Sequence, residues 1–429
     1  MGGAPGQTNG APSAANPLAA TRRLSLAQAK EIAFERNWDL LAAKSGIDSA
    51  TAQLIVAKEF PNPTLSLSTT RIGTFDNATL EGNDLLHRSY DTIAAVSQLI
   101  EIGGKRRDRQ VAARAGILGA KARFFDAKRS LDQGVTKAYV AALLAQANVR
   151  ILNESTSYMS READIAQARF KAGDISDADN KRIQISADQY ALQAKSAAAL
   201  AVQARIAVEV LMGEPQPRGQ WTASDGIEQL AAARPPVQAA PPEAARPDVL
   251  AAEADLRGAE ANLKLQKAYR IPDPTFTFLG EHNPSQPLPP PAADTLGIGV
   301  SFPLPLWNRN HGNILAARAA VDQYTLALNK LRTQVISDVA TAEVAYQEAS
   351  ERLQRYDQQI QPHSAEVRES VSYAYRKGGA SLVDLLEAER TDNDVRLATA
   401  QAMSDTASAA ADLIAAHNVM TELAAGTTK

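Results

Sequence analysis

The sequence predicts a mainly α-helical protein with a small β part, in which one order of elements occurs twice. That order is a helix, two short strands, a very long helix, a glycine turn and a return helix. Residues 105–171 contain no proline, and residues 309–377 contain only Pro362. In both stretches apolar residues recur every seven positions, a spacing typical of a coiled-coil seam. These positions are Ile117, Phe124, Leu131, Ala138, Ala145 and Leu152, and then Ile314, Val321, Leu328, Val335, Ala342 and Ala349.

The duplication predicts the boundaries of the chain's parts. Residues 1–23 are rich in Gly, Ala, Pro, Ser and Asn and are predicted to be disordered. Repeat 1 spans residues 24–213, with strands at about 64–70 and 90–100, a long helix at about 105–171 and a return helix at about 176–212. A proline-rich connector at 214–247 follows. Repeat 2 spans residues 248–424, with strands at about 274–280 and 294–303, a long helix at about 309–377 and a return helix at about 381–423.

The lengths of these helices predict how they pack. In repeat 2 the first helix and the return helix together contain about as many residues as the long helix, and repeat 1 is similar. Because every α-helical residue adds about 1.5 Å, two short helices stacked end to end would span one long helix. The sequence therefore predicts a long antiparallel helical bundle, with the strand hairpins at one end and the glycine turns at or near the other.

Composition excludes several classes of function. The 429 residues carry a formal net charge of -3 and include no cysteine. Disulfides, thiolate metal sites and a lipidated cysteine are therefore excluded, and no basic tract suggests a nucleic-acid partner. No run of 18 apolar residues predicts a transmembrane helix. The N-terminus lacks the basic and apolar regions of a secretory signal, which taken alone favours the cytoplasm.

The strand segments leave two interpretations open. Leu65 and Leu67 alternate with Ser and Thr, so one face of the strand is apolar and the other is hydroxylated. Four strands cannot close a barrel in lipid, but three copies of the chain would supply 12 strands. Phe60 and Trp307 flank strand ends, where an interfacial aromatic belt would lie. The alternative is a soluble hairpin packed on a helix end, with Trp307 as a core residue.

Two motifs at strand exits, together with the duplicated order, resemble the TolC-type outer-membrane efflux ducts. The motifs run from Ser97 to Arg106 (SQLIEIGGKR) and from Val300 to Arg309 (VSFPLPLWNR), and Asn62-Pro63 and Asp273-Pro274 precede strands in both repeats. The sequence is most similar to the cobalt-zinc-cadmium efflux outer-membrane component (CzcC-like) branch. The resemblance covers about residues 24–423.

The resemblance implies an outer-membrane homotrimer with a periplasmic extension. Each subunit would give four strands to a shared 12-stranded transmembrane β-barrel in contact with outer-membrane lipid, and its helices to an α-helical barrel. The duct would bind a periplasmic adaptor protein and an inner-membrane proton-driven pump, and would have no catalytic role and no cofactor. The branch implies heavy-metal cations as cargo, with drugs or organic solvents as the alternative within the family.

The two glycine turns contain the candidate functional residues. Gly173 and Gly378 end the long helices, and an acid lies six residues after each, Asp179 and Asp384. Glu387 follows Asp384 by three positions and so shares its helix face. The resemblance implies that Asp384 and Glu387, in three copies, constrict the periplasmic tip of the duct with acidic rings. The alternative is an acidic first turn that only compensates a helix dipole.

The resemblance implies a basic residue just before the acid of the second turn, where it holds the closed state together. In this sequence Ala380 occupies that neighbourhood. Arg376, Lys377 and Arg182 are therefore the candidates for holding this turn closed. The five histidines are scattered without ligand spacing, so no metal site is expected. No residue set predicts catalysis, and the competing hypothesis from another class is a soluble coiled-coil adaptor or scaffold.

Overall fold

A computed structural model describes residues 22–70, 91–235, 246–282 and 294–417. Outside the described residues lie 1–21, 71–90 (which include His87), 236–245, 283–293 and 418–429. The chain divides into two compact units. Unit 1 comprises Met1–Trp38, Arg129–Val237 and Ala340–Lys429, and unit 2 comprises Asp39–Lys128 and Gln238–Val339.

The fold class is confirmed as mainly α-helical with a small β part. The helices are α1 (Leu26–Arg36), α2 (Trp38–Lys58), α3 (Lys105–Ala172), α4 (Asp177–Leu211), α5 (Ile227–Ala232), α6 (Pro247–Ala268), α7 (His311–Arg355), α8 (Gln361–Arg376) and α9 (Leu382–Ala416). The strands are β1 (Arg22–Leu24), β2 (Thr64–Thr70), β3 (Asp91–Leu99), β4 (Trp221–Ala223), β5 (Thr275–His282) and β6 (Asp294–Ser301).

Strand β1 differs from the sequence prediction, which included Arg22 and Arg23 in the disordered segment. Both residues pair in parallel with β4, Arg22 opposite Trp221 and Arg23 opposite Thr222. Trp221 is buried and stacks on Tyr139, with 5.8 Å between ring centroids. Strand β4 of the connector thus pairs with Arg22–Leu24 in a two-stranded sheet, which no local sequence pattern predicted.

The second long helix is also interrupted, although its sequence pattern predicts a continuous helix. A π-helical turn at Tyr356–Ile360 separates α7 from α8. Pro362 lies in the first turn of α8, where its lack of an N–H removes one helical hydrogen bond. Single π-helical turns are uncommon and often lie at functional positions.

Four strands of unit 2 form one antiparallel sheet in the order β2-β3-β5-β6. The pairing of β3 with β5 joins strands from the two repeats. Leu65 lies opposite Val96, Val96 opposite Phe278, and Phe278 opposite Ile298. This row crosses all four strands on one face of the sheet. Leu67, Phe276, Leu296 and Val300 share the face, because side chains on a strand alternate between faces.

The strand-exit motif of repeat 1 fixes the sheet to the helices of unit 2. Lys105 has only 2% of its side chain exposed, and its Nζ lies 2.7 Å from Asp273 Oδ1. The same amino group donates to the Ile271 carbonyl at 2.6 Å, and Asp273 also accepts from the Ile102 amide at 2.9 Å. Lys105 of the motif is therefore a buried cation, and its counter-ion Asp273 immediately precedes Pro274 at the start of β5.

We expect Lys105→Met to lower the free energy of unfolding by about 3 kcal/mol, because it leaves the Asp273 carboxylate without its buried cation. Chemical denaturation of the detergent-solubilised protein, followed by circular dichroism, measures the change. Arg114→Met is the matched control, since Arg114 is an exposed residue of the same helix and its loss should change stability by less than about 0.5 kcal/mol. Equal effects of the two variants would contradict the anchoring role.

Candidate functional site

The two glycine turns have the same backbone structure. Gly173 and Gly378 have φ values of 85° and 79°, which glycine adopts more readily than other residues. The Gly173 amide donates to Phe170 at 3.0 Å, and the Gly378 amide donates to Tyr375 at 3.1 Å. In each turn the next amide bonds a carbonyl five residues earlier, at 2.9 and 2.8 Å. Both turns are therefore Schellman motifs, which end a helix with its last carbonyls satisfied.

Each acid after a turn is bonded to the serine three residues before it, which caps the helix that follows. The Asp384 amide donates to Ser381 Oγ at 3.2 Å, and the Asp384 carboxylate accepts from the Ser381 amide and hydroxyl at 2.9 and 2.7 Å. These hydrogen bonds, first that of the hydroxyl and then that of the amide, lower the pKa of Asp384 below its usual value. In the first turn, Ser176 Oγ accepts from the Asp179 amide and donates to its carboxylate. Ser176 and Ser381 are thus the N-caps, and Asp384 completes a capping box, whereas the Asp179 carboxylate bonds the serine hydroxyl.

The two turns differ in their cationic neighbours. In the first turn Arg182 lies 3.5 Å from Asp179, and Lys181 lies 2.6 Å from Asp177. In the second turn Arg376 donates to the Ser372 carbonyl of its own helix, and Lys377 lies over the Tyr373 ring. The structure therefore pairs Arg182 with an acid, and it places Arg376 and Lys377 in contacts with α8 itself.

Asp384 and Glu387 share the exposed face of α9, while Leu382 and Leu385 lie on its buried face. The buried face belongs to a hydrophobic cluster of unit 1 to which α3, α4 and α9 contribute. Tyr375 at the end of α8 and Ile175 in the first turn also pack against it. The turns that contain Asp179 and Asp384 thus lie at one common cluster, with the carboxylates of the second turn facing outward.

Sequence reasoning missed a second set of acids, which is buried. Glu389 and Asp392 lie on the core side of α9 with Arg368 of α8 3.4 Å from Asp392. A signal was available, because Leu382, Leu385, Glu389 and Asp392 follow the alternating three- and four-residue spacing of a helix core. Polar residues at such positions indicate a buried polar network rather than a solvated helix face.

The two predicted interfacial aromatic residues are both exposed. Trp307, after β6, is 94% exposed, so the alternative that makes it a core residue is wrong. Phe60, before β2, is 69% exposed, and the Arg106 guanidinium lies over its ring at 3.8 Å. On the sheet, Ile298 is 88% exposed and Leu67 is 72% exposed. An exposed apolar sheet face therefore lies beside both aromatic side chains in unit 2.

No group of three or more His, Asp or Glu side chains in the described part of the chain has an arrangement that would hold a metal ion. His282 instead contacts Asp294 across the β5-β6 pair at 2.6 Å, and His417 lies 3.4 Å from Glu343. Among the helices of the described ranges, none combines the length and apolarity that a membrane crossing requires.

Comparison with known proteins shows the family. The model of the outer membrane efflux protein family matches residues 9–214 and 243–419. The cobalt-zinc-cadmium resistance protein CzcC of Cupriavidus metallidurans is 26% identical, with 87% of this chain and 85% of CzcC covered. The probable outer membrane lipoprotein SilC of Salmonella typhimurium is 25% identical, with 84% and 78% covered.

Solved structures show the same fold. A structure of CusC superposes with a TM-score of 0.76 over 91% of each chain, at 18% sequence identity. The efflux-duct resemblance read from the two strand-exit motifs is thus confirmed, as is the outer-membrane localisation that it implied. The chain belongs to the outer membrane efflux protein family.

Proposed function

We propose that this protein is a passive, trimeric export duct for heavy-metal cations, and that it works with a periplasmic adaptor and an inner-membrane proton-driven pump. Members of its family are efflux channels rather than enzymes. The observation that carries the proposal is the four-stranded sheet, whose apolar face is exposed. Within the part of the chain that the structure describes, its outer strands β2 and β6 each have one partner.

The open edges support assembly from several copies. An unpaired sheet edge in hydrocarbon leaves backbone amides and carbonyls without partners, at several kcal/mol each. The order β2-β3-β5-β6 is antiparallel throughout, so β6 of one copy would run antiparallel to β2 of the next. Such a head-to-tail contact closes into a ring when the rotation fits. Three copies, the number that the family resemblance implies, give 12 strands.

The two faces of the sheet support a barrel in lipid. The row Leu65, Val96, Phe278 and Ile298 would face the hydrocarbon. The opposite face carries mostly small and polar residues, with Ile93, Leu99 and Leu279 as its large apolar members. On that face Ser97 Oγ lies 3.0 Å from Thr277 Oγ1 across β3 and β5. Alternation of an apolar outer face with a polar inner face is the pattern of transmembrane barrels. The exposed rings of Phe60 and Trp307 would then lie at the membrane interface.

The cargo and partners rest on relatives. CzcC is named for resistance to cobalt, zinc and cadmium, and it shares 26% identity over 380 residues. We propose that Asp384 and Glu387 line the narrowest part of the duct, where three copies place six carboxylates. Clustered carboxylates favour cations over anions in a pore, which suits metal cargo. The capping of α9 by Asp384 is compatible with this role, because its carboxylate stays exposed.

A resistance assay in cells tests the proposal. The chain is produced together with a periplasmic adaptor and a proton-driven pump from its own genome, in a strain that lacks its own metal efflux. We expect growth at higher cobalt, zinc or cadmium concentrations, and loss of that growth when this chain alone is omitted. Growth gained only against drugs or solvents would show that these compounds, rather than metal cations, are the cargo. The conclusion that the protein is an export duct would stand.

Extraction of the protein separates the duct from a scaffold. We expect the protein to require detergent and to have a mass three times that of the 45.7 kDa chain. A monomer that stays in solution without detergent would overturn the duct and favour the coiled-coil scaffold.

A further inference from the structure

A polar cavity of about 400 Å³ lies between α3, α8 and α9 in unit 1. Its walls carry both acids and arginines, and two of the arginines are already paired. Arg396 contacts Glu154, and Arg368 lies near Asp392. The acid that remains without an ion pair is Glu389, which also lines the cavity.

Glu389 is 8% exposed, and its Oε1 atom has no hydrogen-bond partner among the residues described. A buried carboxylate without full hydrogen bonding is costly when ionised. Burial, followed by the charges of Asp392 and Glu162, raises the pKa of Glu389 to about 7, although Arg368 and the Tyr158 hydroxyl oppose the shift. Desolvation is the dominant cause.

Four helices present charged or titratable groups to Glu389, and these include four acids and four arginines. These groups are Glu154, Tyr158, Arg161 and Glu162 of α3; Tyr190 of α4; Arg368 of α8; and Arg390, Asp392, Asp394 and Arg396 of α9.

Polar contacts attach α8 beside Glu389, in addition to the packing of Tyr375 against the hydrophobic cluster of unit 1. Ser372 is the buried residue of α8, and its Oγ lies 3.0 Å from the Tyr158 hydroxyl. Ser364 Oγ donates to Asp392 at 3.2 Å, beside the contact from Arg368. Val367 and Tyr373 of α8 are 54% and 62% exposed. The attachment of α8 thus depends on a network that surrounds Glu389, and the π-helical turn at Tyr356–Ile360 lies directly before it.

We propose that Glu389 is a proton-binding group that controls how tightly α8 attaches to α3 and α9. With the carboxyl protonated, the cavity wall holds one negative charge fewer and α8 is held closely. With the carboxyl ionised, Glu389 gains by hydration, and α8 separates more often so that water reaches it. The proposal is independent of what the protein exports.

The sign of the pH dependence follows from linkage. When α8 is attached, Glu389 binds its proton more tightly than in a hydrated state, in which its pKa has the ordinary value of 4.5. Attachment is therefore strongest below that value, and it weakens as pH rises toward about 7. The opening equilibrium of α8 should rise about tenfold per pH unit in this window and level off above it.

Hydrogen exchange of residues 361–376 between pH 5 and pH 8, in the full-length protein in detergent and corrected for intrinsic rates, tests the proposal. We expect the protection of α8 to fall by more than about tenfold in the wild type. Glu389→Gln, which mimics the protonated acid, should stay at the high protection of low pH throughout. All proteins compared carry His363→Gln, so that α8 contains no histidine in any of them.

Glu369→Gln is the matched control, since it removes the same charge from the exposed face of α8. It should behave like the wild type. If Glu389→Gln does not fold, Arg368→Gln serves instead. Because Arg368 opposes the raised pKa of Glu389, its loss should move the pH range over which α8 protection falls to higher pH. Protection of wild-type α8 that does not change with pH, or an equal change in wild type and Glu389→Gln, would overturn the proposal.

Discussion

Replacing Asp384 and Glu387 with alanine should raise the single-channel conductance of the protein in planar bilayers and weaken its preference for cations. Three copies of the two acids place six carboxylates around the proposed constriction. Shortening both side chains widens the passage, and removing the charges lowers the local concentration of cations. A site with one sign of charge concentrates counter-ions about tenfold or more, so the cation preference should fall by about that factor at low salt.

Two further variants separate width from charge. Asp384→Asn with Glu387→Gln keeps the size of both side chains, so it should weaken cation preference without the increase in conductance. The charge effect should shrink as salt rises toward 1 M, where the screening length is about 3 Å. Conductance and selectivity that stay unchanged in both double variants would remove these acids from the pore.

Helix capping is the effect that must be separated from the pore role. Asp384 accepts from the Ser381 amide and hydroxyl, so its replacement also weakens the start of α9. Ser381→Ala removes the hydroxyl and keeps the charge, at a cost of about 1 kcal/mol. If Ser381→Ala alone reproduces the full electrical change, the structure of the turn, rather than the carboxylates, controls the conductance.

Leu67→Lys should prevent most of the protein from assembling in the membrane. Leu67 lies on the apolar face of β2 and is 72% exposed. A lysine on the lipid face of a barrel costs about 2–4 kcal/mol near the bilayer midplane. In a trimer each copy would carry this cost. The measurement is the fraction of folded, heat-resistant trimer in the outer membrane, seen by electrophoresis without boiling.

Ser66→Lys is the matched control for Leu67→Lys. Ser66 is the preceding residue of the same strand, so its side chain points to the opposite face, where a lysine would meet the water of the duct. We expect near-normal assembly of this variant. Equal loss in both variants, or no loss in Leu67→Lys, would contradict the proposed lipid face.

Local pattern was sufficient for most helices and strands. Seven-residue spacing predicted α3 and the start of α7, because apolar residues on one stripe of a helix need a partner surface over its whole length. The π-helical turn at Tyr356–Ile360 was not predicted. Such a turn adds one residue to a single turn of helix, which is too small a change to be visible in the spacing of the apolar residues.

The candidate site was predicted in part. Spacing from Gly173 and Gly378 identified Asp179 and Asp384, yet the serines three residues before these acids were overlooked. Ser-x-x-Asp before an apolar helix resembles a capping box, and it predicts the contacts that the structure contains. Glu389 was missed because its charge suggests a solvent-facing residue, whereas its position in the core spacing of α9 places it inside.

The sequence alone determined the type and approximate position of most helices and strands, and which acids follow the turns, because these features depend on neighbours a few residues apart. The tertiary structure decided the pairing of β3 with β5 and the burial of Glu389. Residues 176 to 190 positions apart meet in that pairing, and the register of the four strands aligns Leu65, Val96, Phe278 and Ile298 in one row. Burial of Glu389 likewise requires helices from distant parts of the chain, and only their packing removes the water that would otherwise keep its carboxyl ionised.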